Sequence, residues 1–262
     1  MKQVRLALSG SGFLAPIHAG AVCSLMDNGV EIVELSRSSG GSIIAALVAI
    51  GMDAKAIKDL AMSDIPKGII SFQPLALLKK AYNSGEILHK WLQDVIGGHT
   101  FASAKVPVTV MATDIEAGKP YVFNQSLTPD VQIADACRAS ASVPFVWQPA
   151  IVNGRALIDG GTCNNIPVDQ LIDDSTPRVG IQVKDGSGSG KIDTVFQFAG
   201  QVLSTMLDAN EGNIDVWAQR TGAKIVEVSA DPYGFLNPNL TTDEKTDLFS
   251  RGYFSVTTKL LA

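Results

Sequence analysis

The sequence predicts an α/β protein with three layers, in which helices cover both faces of a mostly parallel central sheet. Short apolar, β-branched runs alternate with longer stretches of helical character along the chain, and this alternation is typical of parallel strands connected by helices. The first two strand-to-helix connections are tight turns of glycine and serine, which only small residues can form. Both observations indicate one sheet with helices on each side.

Length and composition narrow the class of protein. With 262 residues, the chain is expected to form a single domain over 1–262 with a large core. The hydrophobic fraction is 46%, but no unbroken apolar run reaches the roughly 18 residues of a transmembrane helix. The net charge of −5, without a cluster of Lys or Arg, argues against nucleic-acid binding. Because residues 9–12 interrupt the apolar start, a strand and a loop are favoured there over a signal peptide.

Cysteine and histidine usage predicts neither disulfides nor a metal site. The three cysteines, Cys23, Cys137 and Cys163, are scattered and odd in number, which is typical of a reduced, cytoplasmic protein. The histidines have no ligand-type spacing with these cysteines. We therefore expect no metal, no cofactor and a cytoplasmic location.

The first predicted strand, residues 3–8, is followed by a glycine-rich loop and then by a helix over about 16–26. The backbone N–H groups of such a loop can approach an anion closely, since Gly10 and Gly12 carry no side chain. The loop lacks the third glycine of a dinucleotide-binding fingerprint and the Gly-Lys-Ser/Thr of a P-loop. Two interpretations stay open: an ordinary β–α loop, or an oxyanion hole formed by the amides of Gly10, Ser11 and Gly12.

The stretch over 31–50 predicts a strand, a very tight turn and a helix, around which the rest of the chain is organised. A serine in such a turn is lifted above the sheet, beside the unpaired N–H groups of the helix N-terminus. The usual G-x-S-x-G signature is incomplete: with Ser39 as the nucleophile, Gly41 is present but Arg37 replaces the first glycine. Ser38 is an alternative nucleophile, and a plain helix cap and turn is an alternative interpretation.

The region over 64–100 is expected to form a helical, lid-like elaboration of the domain. Residues 68–96 have a largely helical pattern, with breaks at Pro74 and Gly85. Their apolar stripe fits either a lid that touches a membrane or an ordinary part of the core.

A second chemical motif follows in the strand that ends at Asp159, with Gly160 and Gly161 next in the chain. A carboxylate in this place projects past the end of the sheet, and the glycines let another backbone or a ligand come close. An ordinary Asp-Gly turn is the alternative. Other strands are predicted over 107–113, 121–123, 178–184 and 224–228, and other helices over 129–141, 192–210 and 241–261.

Together, the glycine loop, the serine turn and the Asp-Gly-Gly motif supply one candidate each for an oxyanion site, a nucleophile and a base. None of the histidines follows a strand, as the base of a serine triad usually does. The base would therefore be a carboxylate, and Asp159 can serve if an apolar site raises its proton affinity.

With these motifs in this order, the sequence resembles the patatin-like phospholipases, which are lipid acyl hydrolases with a Ser–Asp dyad. The family motifs correspond to residues 9–12, 37–42 and 159–161, and the segments 112–114, 139–144 and 164–168 are similar to further family motifs. The resemblance implies a patatin-like fold and metal-independent hydrolysis of the fatty-acyl esters of lipids, phospholipids among them, through an acyl-enzyme intermediate. It implies Ser39 as nucleophile, Asp159 as base and Gly10, Ser11 and Gly12 as oxyanion donors, with Arg37, Gly41, Gly160 and Gly161 in support.

Two departures from the family pattern bear on activity. The glycine loop lacks the basic residue that the family usually carries, and Arg37 stands where the first elbow glycine is expected. We hypothesise that Arg37 supplies the missing positive charge at the pocket. Two alternatives to hydrolysis also stay open: acyl transfer by the same dyad, and a catalytically silent module that binds lipid or protein.

The resemblance also implies the partners. A lipid or lysolipid substrate would bring the protein into transient contact with a membrane surface, so a cytoplasmic protein could act peripherally at membranes. No nucleic-acid partner is expected. The sequence leaves open whether the protein forms a homo-oligomer.

Overall fold

The computed structural model describes residues 1–71, 73, 81–184, 195–209, 216 and 218–262 of the chain. Within these residues an eight-stranded mixed sheet is flanked by helices, which confirms the fold class predicted from the sequence. The strands are β1 (Gln3–Leu8), β2 (Glu31–Ser38), β3 (Val108–Asp114), β4 (Lys119–Phe123), β5 (Ala150–Val152), β6 (Arg155–Asp159), β7 (Arg178–Lys184) and β8 (Lys224–Ser229). The helices are α1 (Ala15–Asp27), α2 (Gly41–Ala49), α3 (Ala54–Met62), α4 (Glu86–Ile96), α5 (Ile133–Ser140), α6 (Val195–Ala209) and α7 (Thr242–Val256).

The sheet is parallel over most of its width. The strand order is β5-β6-β3-β2-β1-β7-β8, and β4 also pairs with β3. The strands β3, β2, β1, β7 and β8 run parallel to one another. The pairs β3–β4, β3–β6 and β5–β6 are antiparallel. Helical connections between the parallel strands place helices on the faces of the sheet.

The strand β1 shows why the central strands are apolar without strict alternation. Val4, Leu6 and Leu8 pack into the large core on one face of the sheet. Ala7 points to the opposite face, into a smaller cluster that includes Ile166. Successive side chains of a strand alternate between faces, so a strand covered on both sides is apolar at nearly every position.

The register of β3 brings the ends of two other strands together. On one edge of β3, Val110 to Asp114 pair with β4. The opposite edge of β3 is shared by β2 and β6. The strand β2 pairs with its first part in parallel and ends with Ser38 opposite Met111. The strand β6 pairs with its last part antiparallel and ends with Asp159 opposite Ala112. The carboxyl ends of β2 and β6 therefore meet along the same edge of β3.

The lid-like region is only partly described. The helix α4 begins after Gly85, whose φ of 79° ends the preceding turn as the sequence predicts for a break there. Upstream of it, Ile69 is buried in the large core. Residues 72 and 74–80 lie outside the described residues, as do 192–194 and 210 of the helix predicted over 192–210. The prediction of a lid is therefore untested in this stretch.

One predicted helix is shorter than its sequence pattern. The helix expected over 129–141 begins at Ile133, so the prediction for its first turn is wrong. The carbonyl oxygens of Pro129 and Val131 instead accept hydrogen bonds from the N–H groups of Ala102 and Phe101, and the segment before Ile133 forms a turn. Across the described stretches, no helix combines the length and the apolarity that a bilayer span requires.

Candidate active site

The backbone of Ser39 forms a sharp turn between β2 and α2. Its φ of 51° is in the left-handed region, which is rare for a residue other than glycine and is typical of a strained nucleophile elbow. The two following glycines are needed because the glycine loop is in close contact with them. A Cβ on Gly40 would lie 2.4 Å from Gly12 O, and one on Gly41 would lie 2.4 Å from Ser9 O.

The hydroxyl of Ser39 donates a hydrogen bond to the carboxylate of Asp159, with Oγ 2.6 Å from Oδ2. Both residues are buried, with 4% of Ser39 and none of Asp159 exposed. The other carboxylate oxygen, Oδ1, accepts the N–H of Gly161 at 2.8 Å. The carboxylate is thus held at both oxygens, and one of them faces the candidate nucleophile.

The environment of Asp159 favours its protonated form relative to water. Burial raises the pKa of this carboxyl to about 7, although the hydrogen bonds from Ser39 and Gly161 act in the opposite direction. A carboxylate with a pKa near neutrality can accept a proton from a hydroxyl and return it at physiological pH. A carboxylate that replaces histidine as the base needs this raised proton affinity.

The neighbouring serine has a different role in the fold. Ser38 Oγ donates to Asn164 O at 2.5 Å, and Ser36 Oγ donates to Pro167 O at 2.7 Å. Both side chains therefore point to the face of the sheet that carries residues 164–167. Of the two candidate serines, the structure brings Ser39, and not Ser38, to Asp159.

The glycine loop packs directly against the elbow, but its amides are not equivalent. A Cβ on Gly10 would lie 3.1 Å from Ser39 Cβ and 3.6 Å from Ser39 Oγ. The N–H of Gly10 already donates to Asn165 Oδ1 at 2.9 Å, which leaves it poorly suited to bind an oxyanion. No described residue accepts a hydrogen bond from the amides of Ser11 and Gly12.

A mostly apolar cavity opens beside Ser39. Its volume is about 90 Å³, several times the roughly 10–15 Å³ that one water needs. Ser39, Gly12 and Gly40 line one part of it. Ser63, Asp64 and Lys245 add further polar and charged groups, and most of the remaining wall consists of apolar side chains, including Phe13, Ile43, Leu60, Ile65, Leu88, Trp91, Val143, Trp147 and Leu240. Such a wall suits a hydrocarbon chain better than a polar substrate.

The segment over 138–142 contacts the backbone of both Ser39 and Asp159, and its residues were not among the predicted site residues. Ser140 Oγ accepts the N–H of Ser39 at 2.8 Å, and Ser142 O accepts the N–H of Asp159 at 2.9 Å. The buried guanidinium of Arg138 donates to Ser142 Oγ and fixes the segment in turn. A signal for this role was present in the sequence, because residues 139–144 match a family motif between the elbow and Asp159.

Arg37 does not reach the pocket, so the hypothesis that it supplies a positive charge there is wrong. It is fully buried, and Nη2 donates to Cys137 Sγ of α5 at 3.3 Å. Neighbouring residues of β2 point to opposite faces, and Ser36 and Ser38 are directed to the face away from α5. Arg37 therefore points under α5, and it does not line the cavity.

The glycines after Asp159 lie where the sequence analysis places them. A Cβ on Gly160 would lie 2.1 Å from Met111 O, so no larger residue fits between the end of β6 and β3. The N–H of Gly161 is the donor to Asp159 described above. In the part of the chain that the structure describes, no group of three or more His, Cys, Asp or Glu side chains could hold a metal ion.

Three-dimensional comparison finds this fold in solved proteins that include VipD and ExoU. VipD from Legionella pneumophila has a TM-score of 0.62 at 14% identity, covering 98% of this chain and 66% of VipD. The type III effector protein ExoU has a TM-score of 0.56 at 18% identity, covering 99% of this chain and 52% of ExoU. At these identities the likeness concerns the fold.

Sequence comparison finds relatives in viruses and bacteria. Protein R571 of Acanthamoeba polyphaga mimivirus is 26% identical over 276 residues, covering 98% of this chain and 93% of that protein. The NTE family protein Rv1063c of Mycobacterium tuberculosis is 26% identical, covering 84% of this chain and 59% of that protein. The probable lipid hydrolase 463L of Invertebrate iridescent virus 6 is 29% identical, covering 55% and 44%. The chain thus spans only part of the latter two relatives.

The sequence also matches a model of a protein family. The model described as patatin-like phospholipase matches residues 6–172, which is well over half of the chain. This stretch contains the glycine loop, the elbow at Ser39 and the strand that ends at Asp159. The chain belongs to the patatin-like phospholipase family.

Proposed function

We propose that this protein is a serine acyl hydrolase that cleaves fatty-acyl esters of phospholipids or lysophospholipids. The observation that carries the proposal is the 2.6 Å contact between Ser39 Oγ and Asp159 Oδ2 beside an apolar cavity. Membership of the patatin-like phospholipase family and the similarity to a probable lipid hydrolase support it. Both support lipid hydrolysis in general, and the dyad is our assignment.

In the proposed mechanism, the acyl chain occupies the cavity and its ester carbonyl lies at Ser39. Ser39 Oγ attacks the carbonyl carbon while Asp159 Oδ2 takes the hydroxyl proton. The amides of Ser11 and Gly12 stabilise the negative oxygen that develops, because they are the loop donors without an acceptor among the described residues. Collapse of the intermediate breaks the ester bond, and Asp159 returns the proton to the leaving alkoxide.

The second half of the reaction releases the acyl chain from Ser39. Asp159, again a carboxylate, removes a proton from a water molecule as the water attacks the acyl carbon. The bond to Ser39 Oγ then breaks, and the proton passes back to Oγ. The products are a free fatty acid and an alcohol. The alcohol is a lysophospholipid when the substrate is a phospholipid, and the deacylated headgroup part when the substrate is a lysophospholipid. An alcohol in place of water would give acyl transfer instead.

The proposal includes the place of action. A substrate that resides in a bilayer requires transient contact between the cavity mouth and a membrane surface. We propose that the protein acts as a cytoplasmic enzyme peripheral at membranes. Free cysteines support this location, since Cys23, Cys137 and Cys163 form no disulfide.

Covalent labelling by a fluorophosphonate probe, measured by intact mass, tests the dyad. The wild type should gain one adduct, Ser39→Ala should gain none, and Asp159→Asn should react much more slowly. Ser38→Ala is the matched control, because Ser38 Oγ bonds to Asn164 O and not to Asp159. An adduct that survives in Ser39→Ala, or a folded wild type that stays unlabelled with and without lipid vesicles, would contradict the proposal. Release of fatty acid from phospholipid vesicles then separates hydrolysis from transfer to an added alcohol.

A further inference from the structure

One peptide group of the glycine loop is held at both of its polar atoms. The carbonyl oxygen of Ser9 lies 2.9 Å from Nε2 of His18. The N–H of Gly10, the other half of the same peptide, donates to Asn165 Oδ1 at 2.9 Å and also to the backbone oxygen of Asn165 at 3.2 Å. His18 lies in the first turns of α1 and Asn165 follows β6, so two distant parts of the chain bind one peptide unit.

The contact defines the chemical state of His18. A carbonyl oxygen can only accept, so Nε2 carries the proton and donates it to Ser9 O. The ring is fully buried, and Nδ1 has no partner among the described residues. Burial lowers the pKa of His18 to about 4, although the bond to Ser9 acts in the opposite direction. His18 is therefore a neutral donor at physiological pH.

The next peptide of the loop is held as well. Ser9 Oγ donates to Gly10 O at 2.9 Å and accepts the N–H of Val183 at 3.0 Å. In a planar trans peptide the C=O and N–H point in opposite directions. Holding Gly10 O by the side chain of Ser9 therefore also fixes the direction of the Ser11 N–H.

Asn165 lies between the two halves of the site. A Cβ on Gly161 would be 3.6 Å from its Oδ1, and one on Gly10 would be 2.9 Å from the same atom. The amide of Asn165 is buried, so rotating it away from Gly10 would leave a polar group without a partner. This side chain thus sets the distance between the glycine loop and the loop that follows Asp159.

We propose that His18 and Asn165 are positioning residues that hold the Ser9–Gly10 peptide, so that the amides of Ser11 and Gly12 are oriented to bind the oxyanion. The inference rests on the proposed function. Stabilisation by an oxyanion hole depends on donors that are already oriented before the reaction. A loop free to rotate about this peptide would lose that orientation without losing the substrate cavity.

Steady-state kinetics on a soluble ester, p-nitrophenyl butyrate, test the inference. His18→Leu should lower kcat about 10- to 100-fold while KM changes by less than about twofold. Asn165→Ala should lower kcat less, by about 10-fold, because the backbone oxygen of residue 165 can still accept the Gly10 N–H. His18→Gln keeps an N–H donor and should recover a large part of kcat. Because both side chains hold one peptide, the double variant should have nearly the kcat of the worse single variant, not the product of the two losses.

A matched control separates positioning from general stability. Ser24→Ala, near the other end of α1, removes a partly buried hydrogen bond of 2.9 Å between Ser24 Oγ and Thr257 Oγ1. It should lower the melting temperature and leave kcat unchanged. A His18→Leu variant that is equally destabilised but keeps the wild-type kcat would overturn the inference. A wild type without ester hydrolysis and without a Ser39 adduct would overturn the proposed function, and the inference with it.

Discussion

Ser38 and Asp159 end their strands opposite consecutive residues of β3, Met111 and Ala112. Since β4 pairs with the other edge of β3, β2 and β6 share one edge and approach each other along it. The next residue after Ser38 is Ser39, whose Oγ then lies 2.6 Å from the Asp159 carboxylate. The dyad is therefore positioned by strand register, and its distance depends on how closely β6 lies against β3.

Gly160→Ala tests this dependence on register. The new Cβ would lie 2.1 Å from Met111 O, a backbone atom that cannot move without disturbing β3. We expect β6 to be displaced, with loss of on the order of 1–3 kcal/mol of folding free energy. Labelling of Ser39 should slow by about 10-fold or more, because Asp159 no longer reaches its hydroxyl.

Gly98→Ala is the control for Gly160→Ala. A Cβ on Gly98 would have no atom within 4 Å, and its φ does not require glycine. This variant should label at the wild-type rate and melt at or slightly above the wild-type temperature. Equal labelling rates in the two alanine variants would show that the end of β6 does not determine the dyad geometry.

The pKa of Asp159 predicts the pH dependence of activity. With a pKa of about 7, the carboxyl is protonated in acid and cannot accept the proton of Ser39. We expect kcat/KM for a soluble ester to rise with pH and to reach half of its plateau near pH 7. Asp159→Asn should lose about 10²–10⁴-fold in kcat and lose this inflection. An inflection near the ordinary carboxyl pKa would contradict the raised pKa of Asp159, and an inflection that persists in Asp159→Asn would mean that another group is the base.

The same pKa makes Asp159 a cost to stability at neutral and alkaline pH. Its folded pKa of about 7 exceeds the ordinary 3.8, so the folded state holds a proton that the unfolded state has released. The stability that Asp159 contributes through its bound proton is fully present below the unfolded pKa and is lost as pH rises through the folded pKa. The difference between the two pKa values corresponds to on the order of 4 kcal/mol in the free energy of unfolding.

Asp159→Asn should therefore be more stable than the wild type at about pH 8 and similar to it at about pH 4. Asparagine can keep both contacts, because its Oδ1 accepts from Gly161 and its N–H donates to Ser39 Oγ. Urea unfolding of both proteins across this range gives the two curves. If the free energy of unfolding changed by the same amount in the wild type and in Asp159→Asn between about pH 4 and about pH 8, the assigned pKa would be contradicted.

Local patterns in the sequence predicted most of the elements and the tight turn at Ser39. Helix caps, strand runs and glycines are properties of a few neighbouring residues, which is why these elements were found. The pairing of Ser39 with Asp159 was reached by excluding the histidines as base and by the family resemblance, because register along β3 is not legible in either strand alone. The lid over 64–100 stays a prediction.

The errors and omissions concern contacts that form only in the folded chain and that no local sequence pattern reveals. Gly10 looked like an oxyanion donor because its loop is glycine-rich, but Asn165 accepts its N–H from 155 positions away. His18 looked uninformative because it lacks ligand spacing, whereas its function depends on Ser9 O. The direction of Arg37 depended on which face of β2 is covered by α5.

Arg37 gives the last prediction, since its guanidinium is an unusual group to bury. Nη2 contacts only the thiol of Cys137, and Nε and Nη1 have no partner among the described residues. Burial lowers the pKa of Arg37, which shows that its environment disfavours the charge. Arg37→Met keeps a long apolar stem and should raise the free energy of unfolding by about 1 kcal/mol or more. Labelling of Ser39 should change by less than about twofold, because Arg37 does not line the cavity.

Arg37→Gly restores the usual elbow glycine and distinguishes charge from volume at the same position. It removes the buried charge as Arg37→Met does, but it also leaves a void between β2 and α5 where the side chain was fully buried. We expect a loss of roughly 2–5 kcal/mol relative to Arg37→Met, which chemical denaturation would measure. If Arg37→Met were less stable than the wild type and also lost labelling, the guanidinium would support the elbow through its charge. If only Arg37→Gly is destabilised, the arginine serves this site as a space-filling residue, and the charge itself is dispensable.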